Sequence, residues 1–141
     1  MSRTKYIQET CSGGTKVFLH HIAIICRNET GVGFYKDLGF EEFKREDRGY
    51  DQIVWLKGHC TTLELFIDPT HPERVTGPEA NGLRHIAFEV EKLEEKREQL
   101  AKYKPEEIKN CRFFVKDPDG QPIEFREYIP KTPNDGFSFE G

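Results

Sequence analysis

The feature that most constrains this chain is an internal repeat. His-Ile-Ala stands at 21–23 and again at 85–87. An apolar-Glu-apolar triplet comes after each copy, Leu63-Glu64-Leu65 and Ile123-Glu124-Phe125. The histidines are 64 positions apart (21 to 85) and the glutamates 60 (64 to 124), a difference one loop absorbs. Two matched features in the same order mean that one structural unit occurs twice.

Hydrophobic patterning gives each unit the same order of elements. A β-rich run over 17–26 precedes a helix over 29–38, with Asn28 as its cap, Gly39 past its end, and Val32, Tyr35 and Leu38 on one face. Strands are predicted over 40–46, 50–57 and 61–68. After a Pro/Gly-rich linker comes a strand over 83–90. A helix over 91–103 is next, with Leu93, Arg97, Leu100 and Tyr103 along a stripe, then strands near 106–110, 111–117 and 121–128. The expected organisation is a flexible arm over 1–15, module one over 16–68, a linker over 69–82, module two over 83–128, and a polar tail over 129–141.

At 141 residues, the chain is long enough for one domain of two halves sharing a core. Charged residues make up 33%, the net charge is −4, and there is no basic stripe, which argues against a nucleic-acid surface. No apolar run approaches a membrane span, and the first residues lack the apolar middle of a secretory signal, so the expected compartment is the cytoplasm. The four cysteines, Cys11, Cys26, Cys60 and Cys111, form no C-x-x-C pair and are expected to be reduced, small buried hydrophobes. Cys60 shares strand parity with Glu64, which makes it a candidate for a cavity mouth.

The repeat also separates two adjacent histidines. Only His21 has a counterpart, His85; His20 aligns with Arg84. Strand side chains alternate, so His21 shares a face with Leu19, Ala23 and Ile25, while His20 is expected to pack on the other. Glu64 shares its face with Thr62 and Phe66, opposite Leu63 and Leu65. Glu124 lies opposite Ile123 and Phe125. If each unit curls so that its first and last strands are neighbours, each brings one His and one Glu to a concave surface. Carboxylates there are costly unless paired or ligated. Two imidazoles and two carboxylates suit one divalent ion, with nickel, cobalt, zinc, manganese and iron(II) all compatible. His59 and His71 fall in turns and are expected to face solvent, as are Glu41, Glu42 and Glu127.

The segments LHHIAII, FYKDLGF, TTLELF, PEANGLRHIAFEV and DPDGQPIEF together resemble the vicinal oxygen chelate superfamily, which includes glyoxalase I. The resemblance implies an α+β fold: two tandem βαβββ modules forming a cupped, barrel-like mixed sheet with helices outside, around one metal held by His21, Glu64, His85 and Glu124. Dioxygenases and fosfomycin-resistance members typically use two His and one Glu, so the fourth ligand, Glu64, looks like glyoxalase I. The resemblance further implies a metal-dependent lyase or isomerase of lactoylglutathione lyase type, acting on a small-molecule substrate as a homodimer. In it Glu124 is the base that moves a proton through an enediolate and Glu64 its counterpart. The alternatives are an iron(II) dioxygenase and a non-catalytic binder of small molecules or antibiotics. Short bacterial relatives carry Arg four residues after the first His and Asn four after the first Glu. Here these are Ile25 and Asp68, which weakens the case for a glutathione adduct. Arg126 has the parity of Glu124; the readings open to it are a rim charge, a residue that orients Glu124, and a binder of a substrate carboxylate.

Overall fold

Asn28 starts the first helix: its side-chain Oδ1 accepts from Thr30 N at 2.9 Å, satisfying one of the helix's orphan donors. In the computed structural model, which describes residues 14–130 except positions 76, 78 and 110, this helix, α1, spans Glu29–Asp37. It ends where Gly39 takes φ +118°. Val32, Tyr35 and Leu38 are buried along the predicted face, joined by Phe34. Residues His21–Ile129 form one compact unit. Cys11 and most of both tails lie outside the described residues.

The strands are β1 (Ile22–Cys26), β2 (Glu41–Asp47), β3 (Gln52–Lys57), β4 (Thr62–Ile67), β5 (Ile86–Val90), β6 (Glu106–Ile108), β7 (Arg112–Lys116) and β8 (Pro122–Glu127), with a second helix, α2, over Leu93–Gln99. The class is α+β, and each half is a βαβββ module with its own four-stranded mixed sheet. The sheet orders are β1-β4-β3-β2 and β5-β8-β7-β6. In each, the first strand runs parallel to the last, and the other pairings are antiparallel. The repeat in sequence is thus a repeat in topology.

Three boundaries differ from expectation. β1 begins at Ile22 rather than at residue 17, because its ladder partner β4 begins at Thr62 and leaves earlier residues nothing to pair with. β5 begins at Ile86 for the same reason, opposite Ile123. The helix expected over 91–103 is divided. Leu100, at φ −101° and ψ 15°, ends α2, and a 3-10 turn over Ala101–Tyr103 comes next. Leu93 and Leu100 of the predicted stripe are buried.

One core runs through both modules, from Cys26, Phe34, Leu56 and Leu65 to Phe113, Ile123 and Phe125. Polar contacts also join the halves. Tyr35 Oη donates to Asp117 Oδ2 at 2.7 Å. Asp117 Oδ1 in turn accepts from the backbone N–H groups of Asp119 and Gln121, both at 2.9 Å, closing the DPDG loop. Burial raises the Asp117 carboxyl above its ordinary range, against the pull of these donors. Cys26 is buried as expected, whereas Cys60 and Cys111 are exposed, since both stand in turns between strands. His20 is exposed and stands ahead of β1, so strand alternation does not extend to it.

Candidate functional site

The register creates the same constellation twice. In module one Ala23 pairs with Glu64; in module two Ala87 pairs with Glu124. In parallel pairing, the residue two before each alanine lies on the glutamate's side of the sheet. That residue is His21 in one module and His85 in the other. His21 Nε2 lies 3.2 Å from Glu64 Oε1, and His85 Nε2 lies 3.4 Å from Glu124 Oε1. The parity argument therefore reaches the two histidines that stand beside the glutamates, although both lie just before their strands.

The flanking residues behave as the alternation requires. Leu63, Leu65, Ile123 and Phe125 are fully buried or nearly so, while Ala23 and Ala87, without side chains that could cover the glutamates, are exposed. Glu124 is itself 7% exposed, one of two buried charged residues of the described chain. His59 and His71 are exposed, as expected; His71 lies 3.5 Å from Asp68.

The structure brings each histidine to its glutamate but does not bring the two pairs together. Among the described residues, no group of three or more His, Cys, Asp or Glu side chains is placed to hold a metal ion. Each pair belongs to its own module's sheet. Each pair alone fits divalent ligation. Two donors about 2.1 Å from one ion, at the angles of tetrahedral or octahedral geometry, stand about 3.0–3.4 Å apart, and imidazole with carboxylate is a donor set such ions accept.

Around these matching pairs the modules differ. In module one, Trp55 on β3 stands opposite Glu64 in register and meets the His21 ring edge-on, with centroids 5.1 Å apart. In module two the equivalent place opposite Glu124 is taken by Phe114. There two guanidiniums approach the carboxylate: Arg112 Nη1 is 3.6 Å and Arg126 Nε 3.5 Å from Glu124 Oε2. Strand parity points to Arg126. Trp55 and Arg112 escape the sequence reading, although Arg112 and Phe114 alternate with the buried Phe113 and Val115 and so carry the same parity signal.

Ile25 and Asp68 both line an open groove of about 730 Å³, with Arg27, His71, Arg74 and Asp119. Its wall holds an Arg27–Glu73 pair at 2.9 Å and a bond from Arg27 N to Asp119 Oδ2 at 3.0 Å.

Residues 18–125 match the Glyoxalase/Bleomycin resistance protein/Dioxygenase superfamily. The chain is 40% identical over 123 residues to the Escherichia coli (strain K12) protein YaeR and 39% identical over 122 residues to YwkD of Bacillus subtilis (strain 168). Each match covers 77% of this chain and 95% of the relative. A solved glyoxalase family protein from Enterococcus faecalis superposes with a TM-score of 0.67 at 34% identity, over 78% of this chain and 97% of that one. Among the described residues, no helix is long and apolar enough to cross a membrane.

Proposed function

Because the chain belongs to the Glyoxalase/Bleomycin resistance protein/Dioxygenase superfamily, we propose that it is a metal-dependent lyase or isomerase of glyoxalase I type, moving a proton between carbons next to a carbonyl. The observation that carries this reading is the duplicated His–Glu pair, at 3.2 and 3.4 Å. His21, Glu64, His85 and Glu124 are the ligands, and a second copy of the chain supplies the pair that one protomer's own pair lacks.

The ion, when bound, supplies Lewis acidity toward two vicinal substrate oxygens. The protein's residues do the rest. Glu124 turns Oε1 toward His85, while Oε2 faces Arg112 and Arg126. Oε2 takes the proton from the carbon acid and returns it to the neighbouring carbon, so the proton count is unchanged. Glu64 is the matching carboxylate in the other pair. Trp55 fixes the His21 ring by its edge contact, a positioning role. Ile25 and Asp68 in the groove wall favour a thiol other than glutathione, or none.

The test is metal analysis of protein purified without chelator, then assay of methylglyoxal with a panel of thiols under each reconstituted ion. Stoichiometric metal and isomerase turnover support the reading. Absence of metal at every step defeats it in favour of a non-catalytic binder, and oxygen consumption dependent on iron(II) would assign a dioxygenase. Glu124→Gln is expected to abolish turnover; unchanged turnover removes Glu124 as the base.

A further inference from the structure

The two pairs are alike in ligands and unlike in charge. Within 4 Å of Glu64 Oε1 the partner is His21. Glu124 has His85 and, on its other oxygen, both Arg112 and Arg126. A metal site alone gives no reason for two guanidiniums to stand beside Glu124.

These arginines are not ordinary structural partners of the glutamate. A structural ion pair in this molecule looks like Arg45, whose guanidinium forks onto Glu29 at 2.9 and 3.0 Å and onto Glu42 at 3.0 Å with both oxygens. Arg112 and Arg126 stop at 3.6 and 3.5 Å, short of hydrogen bonding. Their side chains are 18% and 28% exposed, so both are largely withdrawn from water without being sealed from it. Arg112 spends one N–H on Lys109 O at 3.0 Å, which anchors it at the strand's start. Lys116 also lies on this face by parity. So do Glu89 and Glu106, but both are exposed, and neither makes an ion pair with these guanidiniums. Two cations therefore converge on one buried carboxylate that the proposed site already commits to a metal ion. Positive charge is in excess there, and apart from the Arg112 Nε–H spent on Lys109 O, these guanidiniums make no hydrogen bond at bonding distance among the described residues.

We infer that Arg112 and Arg126 form an oxyanion subsite beside Glu124, and that the substrate carries its own carboxylate or phosphate close to the reacting carbon. Guanidinium forks match such groups bidentately. An anion seated there lies next to Glu124 Oε2, which places the adjoining carbon within the base's reach. This inference takes the position of Glu124 from the proposed site, but the subsite itself is a property of two arginines and exists without metal.

The test is calorimetric titration of the full chain, stripped of metal on a chelating resin, with malonate and separately with inorganic phosphate. Both are repeated on nickel-loaded protein. Saturable binding is expected, and the tighter probe identifies the anion class. Arg126→Gln and Arg112→Gln are each expected to weaken it about tenfold or more, as loss of a charge-assisted hydrogen bond does. Arg126→Lys, which keeps the charge and loses the fork, should fall between. Arg84→Gln, a change at an exposed arginine held by Glu79, should leave binding intact. Should Arg112→Gln fail to fold, the Arg126 series decides. No saturable binding in either form, or equal affinity in Arg126→Gln, overturns the inference. Anion binding without metal uptake would instead defeat the metal reading and leave the subsite standing.

Discussion

Tyr35 on α1 and Asp117 in the DPDG loop are buried partners, 82 residues apart in sequence and 2.7 Å apart in space. Each lies in a different module, so this bond fastens the loop that leads into β8 to the helix of the other half. Tyr35→Phe removes the donor and leaves a desolvated carboxylate oxygen without it. A loss of about 1–3 kcal/mol is expected, read as a lower urea midpoint with unchanged slope. Because β8 carries Glu124, metal affinity should fall too, while a surface change such as Glu41→Gln should move neither.

The two glycines of α1 should respond in opposite directions. A Cβ on Gly31 would meet Cys26 Cβ and Sγ at 2.8 Å, whereas one on Gly33 meets nothing within 4 Å. Gly31→Ala is expected to destabilise by about 1–3 kcal/mol through overpacking against β1. Gly33→Ala should stabilise by about 1 kcal/mol, because alanine is the better helix former. Thermal unfolding of both variants beside the parent settles the signs.

The repeat makes the topology legible because identical short motifs fall in equivalent elements, and alternation then chooses His21 over His20 without a structure. What escapes depends on pairing partners. Where β1 starts is decided by where β4 starts, a contact about 40 residues distant, so the run from 17 reads as strand although Val17, Phe18, Leu19 and His20 are exposed. Trp55 reaches His21 only through the β3–β4 register, which the hairpin sets. Cys60 and Cys111 read as buried only because a cysteine's apolar character says nothing of the turns in which both stand. The pairing of His21 with Glu64 and of His85 with Glu124 is legible from the repeat, but not how the two pairs stand to each other, since a local pattern carries no information about how modules face one another.

Cys26 ties stability to alkaline pH. Burial, with Asp117, Asp119 and Glu29 nearby, pushes its thiol from 9.0 up to about 12. The folded chain thus holds this proton more tightly than the unfolded chain does. Its contribution is complete below pH 9 and is lost as pH rises from 9 toward about 12. Tyr35, also raised by burial, acts in the same direction above its ordinary value of 10.0. Urea midpoints should fall across this window, and less steeply in Cys26→Ala. Native alkylation at neutral pH should label Cys60 and Cys111 and spare Cys26; labelling of Cys26 at the same rate would contradict its burial.

Trp55 is the chain's single tryptophan, and it touches a proposed ligand. Nickel or cobalt bound at His21 would quench its fluorescence at short range. Emission is expected to fall in step with metal uptake in the parent and in His20→Ala, and to stay constant in His21→Ala. Stoichiometric metal uptake without quenching would place the ion elsewhere.

The separation of the two pairs makes subunit mixing decisive. If a complete site joins His21 and Glu64 of one protomer to His85 and Glu124 of another, His21→Ala and His85→Ala homodimers each lack every intact site. A mixed dimer then regains one of two, because one chain still offers its first pair and the other its second. Random reassortment gives mixed dimers half the population, so an equimolar mixture should recover about one quarter of the parent's bound metal. Sites built within single chains would recover none, since every chain carries a lesion. Mixing Glu64→Gln with Glu124→Gln should obey the same rule in isomerase turnover. Mixing His21→Ala with Glu64→Gln should give nothing under either arrangement, because both lesions fall in the same pair.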